Sequence, residues 1–318
     1  MQLSIVVTSY DLQRKKDIID LLDSIQAQVC NDFEVVYITE RSRLLYDFVK
    51  EAIKKRGIRG KVIHNDGSWG LSECRNIGVK HSEGEVVAFV DDDVILDSNW
   101  SCAILNAYKS LDGIIGATGP AYPYWVDGRA GWLPTELDWL IGCTRWFKSN
   151  TPVQVRNCWG MNMCFKREAF VKAGYFDVRS TEGSRYLRSA SGQRQNEETK
   201  QGKMAEDVEF SLRVRKLTDK KLYYLPDMKV LNKVYAYRLS TKFIVERSSW
   251  IGYSRRNIGK MTGKGQLAME NSLLVSLLHS LVLENRNQSN LIDKLKGTKV
   301  SILALFSMTL GYFLGPLA

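Results

Sequence analysis

The sequence lacks the closely spaced cysteine pairs that mark zinc ribbons and disulfide frameworks. Its six cysteines are scattered, none belongs to a CxxC pair, and several lie in apolar surroundings. We therefore expect reduced cysteines that pack inside a cytosolic protein, with neither a zinc site nor a disulfide framework. The six are Cys30, Cys74, Cys102, Cys143, Cys158 and Cys164.

Acidic residues are also in short supply. The chain has 35 Asp and Glu against 45 Lys and Arg, which gives a formal net charge of +10 at pH 7. This balance implies acidic partners, namely nucleic acid, nucleotide phosphates or an anionic membrane surface. No recognisable nucleic-acid-binding motif is present, so a basic nucleic-acid-binding protein is the more remote alternative. A signal peptide is not expected, because Met1-Gln2 runs directly into a predicted strand.

The 318 residues suffice for a full α/β domain with an appendage. In the first hundred residues, short apolar runs alternate with segments whose apolar residues recur at helical spacing. This alternation predicts a mostly parallel sheet with right-handed crossovers, which binds ligands beyond the carboxyl ends of its strands. The predicted strands are 3–7, 33–38, 62–63 and 86–90, and the predicted helices cover 18–29, 45–52 and 71–81.

The fourth predicted strand ends in three consecutive carboxylates, Asp91, Asp92 and Asp93. Acids packed this closely repel one another and need a compensating positive charge. Mg²⁺ or Mn²⁺ supplies that charge through carboxylate oxygens and keeps positions open for substrate phosphates. The alternative for the triplet alone is a solvated acidic turn in which one Asp caps the next helix.

Residues 120–150 are rich in tryptophan and other aromatic residues. A helix is expected to begin near Pro134, where proline suits the first helical position. These aromatic side chains either pack in a core or form an interfacial surface near a membrane or a lipid acceptor.

An acidic pair, Glu206-Asp207, opens a predicted helix later in the chain. Capping of the helix dipole explains one of these acids but not obviously both. The polar segment 179–203 before the pair predicts a mobile loop, as a substrate-closed lid would need. A strand at 159–165 and a helix at 167–173 are predicted upstream of the loop.

Taken in order, these motifs resemble those of the family-2 glycosyltransferases with the GT-A fold, over residues 1–215. Thr8-Ser9-Tyr10 is similar to the family's first-strand end, where the tyrosine lies against the nucleotide base. Glu40 stands where the family has an aspartate that contacts uracil, and Arg75 where an arginine helps to hold the base. The resemblance assigns the donor nucleotide sugar to Thr8, Tyr10, Glu40, Asp66, Arg75, Asp91 and Asp92.

The resemblance also implies the metal, catalytic and acceptor residues. The acid triplet is similar to the DxD signature, with Asp93 as the direct metal ligand and Asp91 also assigned to the metal, toward the ribose. Glu206-Asp207 resembles the ED pair, with Asp207 as general base and Glu206 orienting it or contacting the acceptor. Asn232 stands where the family often has a metal-binding histidine. The acceptor-side strand is assigned to Gly160, Met161 and Asn162.

The chemistry agrees with these residue types. A divalent cation, Mg²⁺ or Mn²⁺, bridges the diphosphate of a sugar nucleotide and stabilises the leaving nucleoside diphosphate. An inverting transfer needs a carboxylate that accepts the proton of the acceptor hydroxyl. We expect a UDP-linked donor. A nucleotidyltransferase on a related fold is disfavoured, because residues 8–17 contain no glycine for an activating loop.

The C-terminal third is basic and then apolar. Arg238, Arg247 and Arg255 belong to a basic stretch that forms either a solvated face or a clamp for an acceptor phosphate. An apolar helix is expected over 267–283. Residues 300–318 are almost free of charge and reach the lower limit of a transmembrane helix. Buried packing and an in-plane amphipathic anchor are the alternatives to a span.

We therefore predict a GT-A catalytic domain over 1–235, with a nucleotide-binding half at 1–115 and an acceptor half at 116–235. Residues 236–318 form a basic, membrane-associating helical region. This layout is similar to family-2 enzymes of archaeal and bacterial glycan assembly, which act on polyprenyl- or dolichyl-phosphate-linked acceptors at the cytoplasmic face of the membrane. The resemblance implies N-glycan or surface-polysaccharide assembly; a soluble or polysaccharide acceptor is the alternative.

Overall fold

The computed structural model describes residues 2–67, 70–178, 205–262 and 291–316. The strands in these ranges are β1 (Leu3–Ser9), β2 (Phe33–Glu40), β3 (Gly60–Asn65), β4 (Val86–Asp91), β5 (Val94–Leu96), β6 (Ile114–Thr118), β7 (Ala121–Trp125), β8 (Val153–Val155), β9 (Asn162–Lys166), β10 (Lys221–Tyr224) and β11 (Val230–Val234). The α-helices are α1 (Lys15–Gln26), α2 (Arg43–Lys55), α3 (Leu71–His81), α4 (Trp100–Ser110), α5 (Arg167–Ala173), α6 (Glu206–Thr218), α7 (Thr241–Thr262) and α8 (Leu291–Leu314).

Eight strands form one sheet in the order β3-β2-β1-β4-β9-β6-β10-β8. The pairs β1–β2, β2–β3, β1–β4 and β6–β10 are parallel, whereas β9 is antiparallel to both its neighbours and β8 is antiparallel to β10. The predicted mostly parallel α/β sheet is confirmed. Thr8 lies opposite Asp91 and Ser9 opposite Thr39, so β1, β2 and β4 end at one edge.

Apolar side chains cover both faces of this sheet. Along β1, Ile5 and Val7 join one buried cluster while Val6 joins the cluster on the other face, as the two-residue period of a strand requires. Full burial of one such side chain contributes about 1.5–3 kcal/mol. Four of the five apolar residues that predict α1, namely Ile18, Leu21, Leu22 and Ile25, are completely buried, whereas Val29 lies beyond the end of the helix and is exposed.

Helix α3 has the bounds that the sequence predicts, Leu71–His81. It begins after Gly70, whose φ of 135° favours glycine. Near its end, a Cβ on Gly78 would collide with the side chain of Val6. The helix therefore packs tightly against β1, which fixes the position of Arg75 above the sheet.

Several short elements differ from the predictions. Strand β5 was not predicted, because three residues carry too little periodicity; it joins a second sheet of order β5-β11-β7. The helix expected near Pro134 is a 3-10 helix, Thr135–Ile141, that ends at Gly142 with a φ of 74°. The strand predicted at 159–165 begins later, at Asn162. The predicted loop 179–203 and the predicted helix 267–283 lie outside the described residues.

The prediction that all six cysteines are reduced is wrong for Cys30 and Cys102. These two form a disulfide across 72 residues, with their Cα atoms 5.2 Å apart. The chain after α1 lies against the start of α4, where Ser101 donates a hydrogen bond to the Cys30 carbonyl. This proximity is tertiary, so the spacing of the cysteines did not reveal it. The other four cysteines are free and buried, as predicted.

The described residues pack into two compact units. The first unit comprises residues 2–122, 149–178 and 205–232, and contains the eight-stranded sheet. The second comprises 123–148, 233–262 and 291–316. The division at 235 that we predicted lies beside the boundary at 232, but the aromatic-rich stretch 123–148 belongs to the second unit.

The second unit has its own apolar cluster. Buried leucines and an isoleucine of the 3-10 helix, Leu137, Leu140 and Ile141, pack with Ile244 of α7 and Ala304 of α8. Partly buried tryptophans pack against this cluster, so core packing explains that part of the aromatic stretch. They are Trp125, Trp132 and Trp139. In the part of the chain that the structure describes, one helix, α8, is long and apolar enough to cross a membrane, judged by length and composition.

Candidate active site

The acid triplet is divided by the turn that follows β4. The Asp91 side chain is 31% exposed, whereas the side chains of Asp92 and Asp93 are almost completely buried. Arg14, in the 3-10 helix after β1, lies 2.7 Å from Asp92 and 3.0 Å from Asp93. Ser9 donates a further hydrogen bond to Asp92. The compensating charge that the triplet requires therefore comes, for two of its acids, from a protein guanidinium.

Burial raises the pKa of Asp92, and the neighbouring charges of Asp93 and Asp91 raise it further, while Arg14 and the Ser9 hydroxyl oppose this. Sequence reasoning missed Arg14, which stands in a basic run, Arg14-Lys15-Lys16, that looks like a solvated surface.

Arg75 of α3 connects the strand edge to the acidic pair. Its guanidinium is 3% exposed and donates hydrogen bonds to Glu206 at 2.7 Å and to the Gly160 carbonyl at 2.9 Å. Asp91 lies 3.5 Å away. The guanidinium also lies within 6.0 Å of the ring centroids of Phe89 and Phe176, where a cation is attracted to the aromatic face. Arg75 is thus held among acidic side chains and aromatic rings of the protein itself.

Asp207 lies at the start of α6, where backbone donors point at its carboxylate. The N–H groups of Gly160 and Val208 each donate to it at 2.8 Å. Burial, followed by the charge of Glu206, raises the pKa of Asp207 to about 6, and Arg75 and the two N–H donors moderate this rise. Near pH 7 the carboxylate is therefore mostly ionised while its proton affinity is close to what a general base needs.

A tight turn before β9 presents the Gly160 N–H to Asp207. The hydroxyl of Thr118 accepts from the Trp159 N–H and donates to the Asn162 carbonyl, which fixes both ends of the turn. A Cβ on Gly160 would lie 3.2 Å from Arg75 Nη2 and 3.3 Å from Asp207 Oδ2. The glycine lets the backbone pass between the guanidinium and the carboxylate.

The donor-side residues lie near the same strand edge with different degrees of access. Thr8 and Tyr10 are half-buried, and the Arg41 guanidinium lies 5.6 Å from the Tyr10 ring centroid. Glu40 is buried and accepts hydrogen bonds from the Gly70 N–H and the Cys74 thiol, so one oxygen is occupied by the start of α3. Asp66 is exposed at the end of β3.

The sequence profile of glycosyl transferase family 2 matches residues 4–173, more than half of the chain. The chain belongs to glycosyltransferase family 2. A relative in Haloferax volcanii, described as a glucosyl-dolichyl phosphate glucuronosyltransferase, is 27% identical over 258 residues, which cover 80% of this chain and 77% of the relative. The chain is therefore a glycosyltransferase.

Solved structures show that the fold is GT-A. The mannosyltransferase PcManGT of Pyrobaculum calidifontis, in complex with GDP-Man and Mn²⁺, is 13% identical with a TM-score of 0.58, over 98% of this chain and 87% of that chain. The TarS fragment 1–349 of S. aureus, in complex with UDP-GlcNAc, is 17% identical with a TM-score of 0.52, over 98% of this chain and 89% of that chain. At these identities the likeness concerns the fold.

One acceptor residue of the family-2 prediction is wrong. Asn162 is completely buried, and both ends of its amide are occupied. Its oxygen accepts from the Trp100 indole N–H, and its nitrogen donates to the carbonyls of Met228 and Pro120. The Asn162 side chain therefore connects β9 to Trp100, Pro120 and Met228, and its amide has no group left to bind an acceptor. Gly160 and Met161, in the turn before β9, are half-buried.

The three basic acceptor residues lie in the second unit. Arg238 donates to the Ile141 carbonyl and to the Tyr237 hydroxyl, so it supports the 3-10 helix Thr135–Ile141. Arg247 and Arg255 lie half-buried on α7. Their assignment to an acceptor phosphate stays a prediction.

The donor atoms at the end of β4 fit a hard divalent cation. Asp91 offers the exposed carboxylate of the triplet, and Asp93 a buried one beside Arg14. Asn232 pairs with Val94 in the second sheet, and Val94 directly follows Asp93 in the sequence. Within the described ranges, no three His, Cys, Asp or Glu side chains are gathered closely enough to hold a metal alone. A cation here would therefore need further oxygen ligands from a substrate diphosphate. Mg²⁺ is commonly bound in this way, by one or two carboxylates together with substrate phosphates.

Proposed function

We propose that this glycosyltransferase is inverting, depends on a divalent cation, and moves a sugar from a UDP-linked donor to a lipid-phosphate-linked acceptor at the cytoplasmic face of a membrane. The observation that carries the chemistry is Asp207. Its carboxylate is oriented by two backbone N–H groups, has a pKa of about 6, and adjoins the Arg75–Asp91 contact at the donor edge.

In this mechanism the acceptor hydroxyl attacks the anomeric carbon of the donor sugar. The bond from that carbon to the diphosphate oxygen breaks as the new carbon–oxygen bond forms, and the hydroxyl proton passes to Asp207 Oδ. The opposite-face attack inverts the anomeric configuration. Arg75 holds Glu206 and the Gly160 carbonyl and thereby keeps the Asp207 carboxylate in place. Mg²⁺ or Mn²⁺, held by Asp91 and Asp93, would neutralise charge on the departing diphosphate.

The lipid-linked acceptor is supported by the second unit and by one relative. The Haloferax volcanii relative is named for transfer to glucosyl-dolichyl phosphate. Helix α8 is apolar enough to meet a membrane, and Arg238, Arg247 and Arg255 supply positive charge in the same unit. Guanidinium groups bind phosphate through paired hydrogen bonds.

A nucleotide-sugar screen tests the donor. We expect one UDP-sugar to raise the melting temperature of the protein in the presence of Mn²⁺, and the Asp91→Asn variant to lose the Mn²⁺-dependent part of that shift. The stabilising sugar is then supplied with Mn²⁺ and either a dolichyl-phosphate-linked or a water-soluble saccharide. Transfer to the water-soluble saccharide but not to the dolichyl-phosphate-linked one would show that the acceptor is not lipid-linked.

The Asp207→Asn variant tests the catalytic assignment. We expect kcat to fall by about 10²–10⁴, because a positioned general base contributes that factor. The donor-induced thermal shift should persist, since the proposed partner of Asp207 is the acceptor hydroxyl and not the nucleotide sugar. Near-normal transfer by this variant would show that another group accepts the proton.

A further inference from the structure

Helix α8 packs closely against α7, its neighbour in the second unit. A Cβ on Gly252 of α7 would collide with the Met308 carbonyl and lie 2.9 Å from the Tyr312 N. A Cβ on Gly311 of α8 would collide with the Ser249 carbonyl. Arg256 of α7 also donates a hydrogen bond to the Phe313 carbonyl. The two backbones therefore lie in contact along the C-terminal half of α8.

One side of α8 is buried and consists of small residues, namely Gly297, Ser301, Ala304, Ser307 and Gly311. The opposite side carries large apolar side chains that are 60–70% exposed. They recur at intervals of four and seven residues, which places them along one face of the helix. This exposed apolar stripe consists of Leu291, Leu295, Ile302, Phe306 and Phe313.

The charges of α7 oppose insertion of this helix pair across a bilayer. Arg255 and Arg256 stand directly beside the segment of α7 that touches Met308 and Gly311, and Arg247 lies two residues before Ser249. A transmembrane α8 would draw these guanidinium groups into hydrocarbon, where each is strongly disfavoured. The span that length and composition permit is thus incompatible with the packing of α8 on α7.

Charge around the exposed apolar stripe favours an anionic lipid surface as its occupant. Lys296 and Lys299 are exposed on α8 and lie to one side of the stripe at helical spacing. The chain as a whole carries a net charge of +10. A helix with an apolar face and flanking lysines is the kind that lies in the interface of anionic membranes.

We propose that α8 lies in the plane of an anionic membrane, with the exposed apolar stripe in the interface and α7 on the aqueous side. The inference deepens the membrane association that the proposed function requires. Its readout is the position of the helix, so it fails or holds independently of glycosyl transfer.

Spin labels on α8 measure its depth. Leu295→Cys, Ile302→Cys and Phe313→Cys place labels on the exposed apolar stripe, and the described free cysteines are buried. With phosphatidylcholine vesicles that contain phosphatidylglycerol, we expect the same shallow depth at all three positions. A transmembrane helix would instead separate residues 295 and 313 by about 27 Å along the membrane normal, with 302 deepest. That depth profile would overturn the in-plane arrangement.

Partition measurements test the lipid partner. We expect Ile302→Glu to weaken binding to the anionic vesicles at least about tenfold, while Ile302→Leu binds as the parent chain does. Leu44→Glu, which makes the same change at an exposed leucine of α2, should leave binding unchanged. Two results would contradict the lipid partner: vesicle binding by Ile302→Glu that equals that of the parent chain, or spin labels that are shielded from water in the lipid-free protein. Either would indicate that a second copy of the chain or another part of the same chain covers the exposed apolar stripe.

Discussion

At the residue scale, the proton affinity of Asp207 is controlled by its immediate neighbours. Burial and the Glu206 carboxylate disfavour its charged form, so the pKa of Asp207 is raised to about 6. A base is active when it is deprotonated, so we expect the rate to fall as pH drops through about 6 and to level off above it. This acid limb is the signature of Asp207 in a pH profile of kcat.

Glu206→Gln tests the direction in which Glu206 shifts the pKa of Asp207. Removing the Glu206 charge removes an influence that raises the pKa of Asp207, and it leaves the Arg75 charge, which lowers that pKa, less neutralised. The acid limb of kcat should therefore move to lower pH. Glutamine retains a carbonyl for Arg75, so the change in fold stability should be modest. An unmoved limb would mean that another group titrates near pH 6.

Gly160 separates Arg75 from Asp207, and an alanine there would crowd both. The added Cβ would lie 3.2–3.4 Å from three atoms at the ends of these two side chains. Because contacts of this length need a shift of only a few tenths of an ångström, we expect Gly160→Ala to lower the free energy of unfolding by no more than about 1 kcal/mol. We expect kcat to fall about tenfold or more, since small displacements of catalytic groups are costly. Gly131→Ala, where a Cβ meets no atom within 4 Å, is the control for both measurements.

Two residues mark the limits of site prediction from sequence. Arg75, Asp91, Glu206 and Asp207 were predicted and are brought together by α3, β4 and α6. Arg14 was missed, because nothing in a run of basic residues shows that one of them reaches back to the acid triplet. Asn162 was wrongly assigned to the acceptor, because its burial follows from β9 lying between β4 and β6.

At the scale of elements, the Cys30–Cys102 disulfide joins the end of α1 to the start of α4. It closes a loop of 72 residues, for which chain entropy predicts a contribution of about 4 kcal/mol to stability. Cys30→Ser and Cys102→Ser should each lower the free energy of unfolding toward that amount, and the double variant no further than either. Independent losses for the two serines would show that the thiols act separately.

Thiol counting checks the same bond directly. Alkylation of the denatured chain without reductant should modify four cysteines, and six after reduction. In the folded protein the free thiols should react slowly, since burial raises the pKa of Cys74 and Cys164 to about 12. Six modified cysteines without reductant would contradict the disulfide.

The elements that were predicted correctly share long local periodicity. Helices α1, α2 and α3 and strands β1 and β2 are each recognisable from apolar spacing within one segment. Strand β5 is three residues long, and the antiparallel direction of β9 depends on which strands flank it. Local patterns do not carry that information, so the sequence predicted a mostly parallel sheet without the position of β9.

At the scale of the whole molecule, the second unit is built from stretches far apart in the chain. Residues 123–148 contribute the 3-10 helix Thr135–Ile141, and the C-terminal stretch contributes α7 and α8. The aromatic stretch looked like part of the acceptor half because it precedes β9 in the sequence. The buried residues that pack against this stretch, such as Ile244 and Ala304, come after residue 232 in the sequence, and only the folded chain reveals these contacts.

Truncation after residue 235 tests whether the predicted catalytic domain can stand alone. Removing α7 and α8 takes away Ile244 and Ala304, which pack on Leu137, Leu140 and Ile141. Uncovering these three side chains forfeits about 1.5–3 kcal/mol for each and creates a contiguous apolar patch, which promotes association. We therefore expect residues 1–235 to melt at a lower temperature than residues 1–314, which end with α8 and keep this cluster covered. A monomeric 1–235 fragment with an unchanged melting temperature would show that the catalytic domain folds without the C-terminal helices.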